Sequence, residues 1–421
     1  MLLKEMDRRE LQIFKEECEK EYAAIKARGL KLDMSRGKPG ADCLDVCAGI
    51  LGELKEPAVS KDGTDCRNYG MLTGIAEAKE LFAELLGVSF NEVIVGGNSS
   101  LCLMFDSVMR AYVRGVYGGG QPWSQCRKVK FLCPSPGYDR HFAICEYFGI
   151  EMLTIPLKSD GPDMELVERL VSEDEEIKGI WCVPLYSNPD GIVYSDDTVK
   201  RFANLSPKAS DFRIFWDNAY FTHHIGEPHT ILNLLDECKK SGKPDMPLMY
   251  VSTSKISLPG AGVSALGASE NNIKQISSLL GVQTIGYDKI NQLRHVRYFK
   301  NYAGVKEHME KLKAVLAPKF KLVLDMLEHE LSEYGVLEWN KPDGGYFVSV
   351  NTLNGCAARV IQLCNEAGVV MTPAGATFPY GKDPCDRNIR IAPTLPPLEE
   401  LKPAMELFCI CVKLASAEKL I

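Results

Sequence analysis

At 421 residues the chain is too long for one compact core; it suits two domains of ordinary size, or one large α/β domain with a satellite. Hydrophobic residues make up 45% and charged residues 25%, the balance of a soluble globular protein, and a formal net charge of −7 with no Lys/Arg cluster argues against a nucleic-acid or anionic-membrane partner. The opening residues through Asp7 carry acids where a signal peptide needs a basic-then-apolar order, and no apolar run approaches membrane-spanning length, so a cytoplasmic protein with no membrane partner is expected.

Apolar residues Leu11, Phe14, Cys18, Tyr22 and Ile25 recur at helical spacing and predict a helix from about Arg8 to Ala27, ended by Gly29. Ser35-Arg36-Gly37-Lys38-Pro39-Gly40 then reads as a loop carrying two cations. From Asn91 the pattern becomes short apolar run, turn and amphipathic helix, repeated. The runs are Val93–Val95, Val129–Cys133, Met152–Ile155, Ile180–Val183, Phe212–Trp216 and Leu248–Val251, which predict a mainly parallel sheet with helices on both faces.

After about Gly281 long charged helices appear, such as His308–Leu331. A strand-like Gly345–Val350 and a final helix from Leu398 follow, the texture of a smaller α+β domain. The expected division is an N-terminal segment 1–60 joined to the small domain, a large domain 61–290 and a small domain 291–421, with any hinge near 285–305. Fifteen scattered cysteines with no C-x-x-C pair read as reduced, buried small hydrophobes, and the pair His223-His224 reads as structural, so no metal is expected.

In open parallel sheets, ligands sit beyond the carboxyl ends of the strands, and the unusual residues of this chain fall at those ends. Lys255, in Tyr250-Val251-Ser252-Thr253-Ser254-Lys255, leaves a buried strand among small hydroxyls. Desolvation lowers an amine's pKa and frees its lone pair, which suits a Schiff base with an aldehyde. Gly96-Gly97-Asn98-Ser99-Ser100 opens a helix and suits a phosphate, although it lacks the P-loop and dinucleotide signatures. Tyr138, in Pro136-Gly137-Tyr138-Asp139-Arg140, places a ring at the rim; Asn188-Pro189-Asp190-Gly191 reads as a turn; Asp217 ends an apolar strand, three residues before Tyr220. Each has an ordinary structural explanation when taken singly. One ligand accounts for all of them together: pyridoxal 5′-phosphate, with a phosphate, a flat ring, a ring nitrogen that favours a nearby carboxylate, and an aldehyde for lysine.

These segments, with Asn68-Tyr69-Gly70, Ser252-x-Ser254-Lys255 and Asn388-Ile389-Arg390-Ile391-Ala392, resemble the class I and II aminotransferases, which are pyridoxal-phosphate enzymes of fold type I. The wording SRGKPG, SPGYDRHF, DNAYFTHH and STSKISLPGAGVSALG is similar to the MocR-like group, which includes a set of aspartate aminotransferases; no helix-turn-helix region precedes the catalytic part. The resemblance implies the seven-stranded type of mostly parallel sheet and a homodimer with shared active sites. It also implies roles. Lys255 would hold the cofactor and move the substrate proton. Asp217 would pair with the ring nitrogen, Tyr220 and Asn188 would bond the phenolic oxygen, and Tyr138 would stack on the ring. Ser99, Ser100, Ser252 and Ser254 would surround the phosphate, with Tyr69 reaching it from the other subunit. Arg390 would bind the substrate α-carboxylate in a two-pronged pair.

One departure stands out. Many relatives carry an arginine after the Pro-Gly that follows the lysine, whereas this chain reads Pro259-Gly260-Ala261-Gly262-Val263, leaving the phosphate charge to be met by serines, by helix-end N–H groups or by a distant basic residue such as Lys38. A dicarboxylic substrate needs a further cation. Arg140 is the first choice, Arg36 with its neighbour Gly37 the second, and Lys289 or Arg294 are more distant candidates. The resemblance points to L-aspartate and 2-oxoglutarate exchanging an amino group by a ping-pong Schiff-base mechanism. The alternatives are other amino-donor specificity, a pyridoxal-phosphate lyase, or a ligand sensor without catalysis.

Overall fold

Strands form where alternate side chains can each enter a core, and this chain supplies two cores for one sheet. In the computed structural model, which describes residues 2–54 and 57–421, Leu132, Ile180, Cys182, Ile214, Trp216, Met249 and Val251 enter one core while their neighbours Phe131, Cys133, Trp181, Phe215, Leu248 and Tyr250 enter another. Of the expected N-terminal segment 1–60, Met1, Lys55 and Glu56 lie outside the described residues.

In chain order the strands begin with β1 (Leu32–Asp33), β2 (Val93–Val95), β3 (Lys130–Ser135), β4 (Glu151–Lys158) and β5 (Gly161–Pro162). They continue with β6 (Ile177–Cys182), β7 (Arg213–Asp217), β8 (Pro247–Ser252) and β9 (Ser264–Ala268). The large sheet has the order β2-β9-β8-β7-β6-β3-β4-β5. Strands β3, β4, β6, β7 and β8 run parallel; β9 is antiparallel to both β8 and β2, and the two-residue β5 is antiparallel to β4. Seven strands plus that short edge make the expected mostly parallel α/β sheet. Strand β9 escaped the sequence reading because Ser-Ala-Leu-Gly-Ala carries no β-branched run. Its small residues suit a crowded position: a Cβ on Gly267 would sit 3.0 Å from Leu86 Cδ1.

The first helix, Arg8–Lys26, starts at a capping box in which Asp7 accepts from Glu10 N and Glu10 Oε2 accepts from Asp7 N, both at 2.8 Å. Leu11 and Cys18 of this helix join a separate core with the C-terminal helix Leu398–Leu420. The small antiparallel sheet β10 (Leu337–Trp339), β11 (Val348–Thr352) and β13 (Asn388–Ile391) shares that core, and β12 (Val369–Val370) pairs with β1. Cys43, Cys47, Ile50 and Ala58 pack instead with the large sheet, as do Leu293 and Phe299.

The long helix is Tyr302–Leu331, starting at Tyr302 rather than at His308 as its charged pattern indicates, because Asn301 caps it by accepting from Gly304 N at 3.0 Å. It serves both cores. Val305 to Leu316 face the large sheet and Phe320 to Leu331 face the small one, with Pro318 at the changeover.

The expected strand Gly345–Val350 is corrected: pairing begins only at Val348. Gly344 and Gly345 lie against the loop after β7, where a Cβ on Gly344 would meet His223 O at 2.3 Å and Gly345 adopts φ +89°. That close approach carries Tyr346 and Phe347 out of the sheet and towards the strand ends described next.

Candidate active site

Parallel strands put their carboxyl ends on one edge, so the loops after β2, β3, β6, β7 and β8 converge. Asp217 is the last residue of β7, a strand buried along its whole length, and pairs in register with Tyr250 of β8. A carboxylate there needs a partner. His141, in the first turn of the helix Asp139–Tyr147, supplies it: its Nε2 donates to Asp217 Oδ2 at 3.2 Å. The histidine ring is clamped by stacking on Trp181, with centroids 4.5 Å apart and planes 11° from parallel. Asp217 Oδ1 is buried and has no hydrogen-bond partner among the described residues.

Lys255 lies in the turn after β8, with its Nζ 5.0 Å from the centroid of the Tyr220 ring. Burial pushes the Lys255 ammonium below its ordinary value, and the negative charge of Asp217 pulls it partly back. Burial likewise holds the Tyr220 phenol well above its usual range, so the hydroxyl stays a donor. Tyr138 caps the same edge, edge-on to His141 at 4.9 Å, its phenol pushed up to about 12 by burial with Asp217 and Asp139 adding to the effect.

Across the cleft, Arg390 of β13 is buried. Its Nη1 donates to Asp139 Oδ1 at 3.1 Å and to Asn188 Oδ1 at 3.3 Å, and its guanidinium carbon lies 4.8 Å from the centre of the Phe347 ring. Phe347 is edge-on to Tyr220 at 6.5 Å. Six of the expected residues, Lys255, Asp217, Tyr220, Tyr138, Asn188 and Arg390, therefore line one cleft.

The serines form a second group beside it. Ser252 Oγ donates to Ser254 Oγ at 3.1 Å, and Ser254 Oγ donates to Asn98 O at 3.1 Å, which ties the lysine turn to the loop before the helix Ser100–Arg114. Ser99 caps that helix by accepting from Leu101 N at 3.2 Å, with Ser100 next to it. Gly262 faces the same point; a Cβ there would lie 3.1 Å from Asn98 O. A cation connected to this loop is Arg294. Its Nη2 donates to Asn291 Oδ1, and Asn291 Nδ2 donates to Ala261 O at 2.9 Å and Gly262 O at 2.7 Å. Lys289 is turned to Gly70 O at 3.0 Å, while Lys38 is exposed.

The two carboxylate-reading candidates stand at the rim. Arg140 is largely exposed, with Nε 3.9 Å from Asp139 Oδ2. Arg36 is exposed on a loop that closes over Phe347, because a Cβ on Gly37 would be 2.1 Å from Phe347 Cζ. Tyr69 is 81% exposed.

The residues fit a phosphorylated pyridine aldehyde. The bare Asp217 oxygen suits a ring N–H, a lysine whose ammonium burial lowers suits an aldehyde, and the hydroxyls of Ser99, Ser252 and Ser254, with Ser100 beside them and a glycine cradle, suit a phosphate. Residue reading missed His141, Asp139 and Phe347. His141 had a signal, three residues after Tyr138 in Ser-Pro-Gly-Tyr-Asp-Arg-His-Phe; Phe347 had none, since it arrives from the segment before β11, far away in the chain. Among the described residues no set of histidines, cysteines and carboxylates is arranged to hold a metal ion, all fifteen cysteines are free, and no helix is long and apolar enough to cross a membrane.

The family model described as aspartate amino-transferase matches residues 6–421. An aspartate aminotransferase of Corynebacterium glutamicum is 43% identical over 422 residues, covering 99% of this chain and 96% of that protein. The crystal structure of an aspartate transaminase from Corynebacterium glutamicum has a TM-score of 0.97 at 42% identity, covering 100% of both chains. The α-aminoadipate aminotransferase LysN of Thermus thermophilus, solved with N-(5′-phosphopyridoxyl)-L-leucine, shares the fold with a TM-score of 0.74 at 20% identity over 94% of this chain and 96% of that one. A match of this length, on a chain whose strand ends gather a lysine, a half-bare carboxylate and a buried arginine, means that the protein is an aminotransferase and belongs to the aspartate amino-transferase family.

Proposed function

We propose that the enzyme exchanges the amino group of L-aspartate with 2-oxoglutarate, giving oxaloacetate and L-glutamate in two half-reactions, with pyridoxal 5′-phosphate held at Lys255, and that it falls in the MocR-like subgroup. The observation that carries this reading is the Lys255 amine over Tyr220 and within the field of Asp217, which keeps one oxygen without a partner, with Arg390 over the Phe347 ring that lies edge-on to the same tyrosine. When bound, the cofactor supplies an electron-withdrawing ring that stabilises the carbanion left by the departing α-proton.

The remaining work belongs to the chain. Lys255 Nζ accepts the α-proton, a role that the lowering of its pKa by burial favours. Asp217 Oδ1 keeps the ring nitrogen protonated while His141 fixes the other oxygen. Tyr220 and Asn188 bond the ring's phenolic oxygen, and Tyr138 excludes water from one ring face. Ser99, Ser100, Ser252 and Ser254 hold the phosphate, with Arg294 in the charge role that Gly262 leaves open. Arg390 takes the α-carboxylate, exchanging its present bonds to Asp139 and Asn188 for a two-pronged pair. Arg140, then Arg36, reads the distal carboxylate. A second subunit brings Tyr69 to the phosphate, so the working unit is a homodimer acting in the cytoplasm. A large cofactor domain and a smaller domain completed by the N-terminal segment form the cleft.

An amino-donor screen with 2-oxoglutarate, read as glutamate produced, tests the reading. Aspartate is expected to lead. Pyruvate or ammonia released from aspartate alone would make the protein a lyase instead.

A further inference from the structure

Three histidines from three different elements are buried behind the lysine turn. His223 follows β7, His295 lies in the helix Lys289–Phe299, and His308 lies in the helix Tyr302–Leu331; they are 2%, 1% and 3% exposed. A buried imidazole is costly unless its nitrogens are satisfied, so a core position that needs only volume is ordinarily filled by an aliphatic side chain. These three contact consecutive residues of one turn. His223 Nε2 lies 3.1 Å from Lys255 O, His308 Nε2 lies 2.7 Å from Ile256 O, and His295 Nε2 lies 2.9 Å from Ser257 Oγ.

The partners determine which nitrogen carries the proton. A carbonyl can only accept, so His223 and His308 both carry hydrogen on Nε2; Nδ1 of His308 then accepts from Tyr298 O–H at 3.2 Å. His295 is the opposite tautomer. Its Nδ1 donates to Asn291 O at 2.8 Å, leaving Nε2 to accept the Ser257 hydroxyl. Ser257 in turn lies 3.0 Å from Thr253 Oγ1, and Thr253 Oγ1 accepts from Val263 N at 2.9 Å. The turn is therefore pinned along its length, from the strand β9 side through Thr253 to the two helices. The lysine side chain above it is left without a hydrogen bond of its own among the described residues and points at Tyr220.

We propose that His223, His308 and His295 are positioning residues for Lys255, acting in their neutral tautomers as three hydrogen-bonding clamps on the turn so that only the lysine side chain, and not its backbone, moves between its linked and free states. The proposal rests on Lys255 being the cofactor lysine. The reason for a clamp is geometric: an amine that must meet one carbon when linked and another when it carries the proton tolerates little displacement of its Cα.

The test uses the holoenzyme with His223→Leu, His308→Leu and Ser257→Ala, and with His223→Gln and His308→Gln, whose side-chain amides restore a donor to the carbonyl. Two quantities are read: the midpoint of the pH titration of the visible absorption band, and the limiting rate constant of the half-reaction with L-aspartate against the half-saturation for succinate, a dicarboxylate without an amine. The Leu variants are expected to move the titration midpoint and to slow the limiting step by about tenfold or more, with succinate half-saturation changing by less than about threefold. The Gln variants should recover most of the loss, and Ser257→Ala should act in the same direction with a smaller size. Leu variants that match the unmutated enzyme in midpoint and limiting rate would overturn the proposal, and so would Gln variants no better than Leu. If the Leu variants do not fold, Ser257→Ala decides alone, and an unmoved midpoint and rate refutes the clamp. Lys255→Ala separates the two readings: a visible band unaffected by that change would refute the assignment of Lys255 rather than the clamp.

Discussion

The acid–base properties of this site come from single groups in low-dielectric surroundings rather than from a dense array of charge. Burial lowers the Lys255 ammonium below its ordinary value, and Asp217 keeps one oxygen bare because His141 occupies only the other. Replacing Lys255 with Ala removes the amine that lies by the Tyr220 ring. Transfer should fall by about three orders of magnitude or more while cofactor can still bind without a covalent link, read as aspartate turnover and a shifted visible band. For the distal carboxylate, Arg140→Leu is expected to raise the KM for aspartate by about tenfold or more while sparing an uncharged amino donor. Equal losses for both donors would move that role to Arg36. These residues differ in how legible they were. Lys255, Asp217 and Tyr220 announce themselves because polar groups at the ends of apolar strands are energetically odd. Arg36 and Arg140 look like any surface cation, and the structure leaves both exposed.

At the level of elements, the closeness of the Ser35–Gly40 loop to Phe347 explains why its middle residue is glycine. Alanine at Gly37 would place a methyl 2.1 Å from Phe347 Cζ, so the ring must leave the face of Arg390 or the loop must lift. Gly37→Ala is therefore expected to weaken amino-acid binding more than it slows the limiting step, with a stability loss of about 1–3 kcal/mol from overpacking. A KM unchanged from the unmutated enzyme would show that the loop does not roof the site. The helix Tyr302–Leu331 carries a comparable lesson. Its period was readable, but its apolar stripe could not say that residues up to Leu316 belong to one core and residues from Phe320 to another. Hydrophobic spacing reports which face is buried and is silent about what covers it.

For the whole molecule, the buried histidines couple stability to pH. Burial lowers His223 to about 3 and His295 to about 4, and lowers His308 as well, against an ordinary value of about 6.5 in the unfolded chain. Among the neighbours of these rings, the carbonyls of Lys255 and Tyr220 at His223, Asn291 at His295 and Ile256 at His308 oppose the shift, as does Asp288 at His295, while the charges of Lys255 and His224, Arg294 and Lys311 add to the lowering. Between the folded and unfolded values the unfolded chain binds more protons, so this stability is fully present above about pH 6.5 and is lost as pH falls towards 4 and then 3. The loss should be about 2 kcal/mol for each of His223 and His295 between pH 7 and pH 5. Asp190, raised by burial to about 6, works in the opposite sense over part of that range and offsets about 1 kcal/mol. Urea midpoints measured at pH 7 and pH 5 should therefore fall, and less steeply in His223→Gln. A flat profile in the unmutated protein would contradict the buried, neutral state of these rings.

The amino-acid order alone established the alternation of short apolar runs with amphipathic helices, and hence the α/β sheet and the strand ends at which Lys255, Asp217, Tyr138, Asn188 and the serines stand. Those features are local, because period and turn chemistry act over a few residues. The tertiary structure decided the pairings between residues far apart in the chain. It set His141 on Asp217, Arg390 on Asn188 and Asp139, Phe347 on Gly37, and three histidines from separate elements on one turn. It also inserted β9 antiparallel into the sheet and drew Tyr346 and Phe347 out of the smaller one. Contacts of this kind depend on which surfaces meet when the cores close, and no spacing within a single segment encodes that meeting.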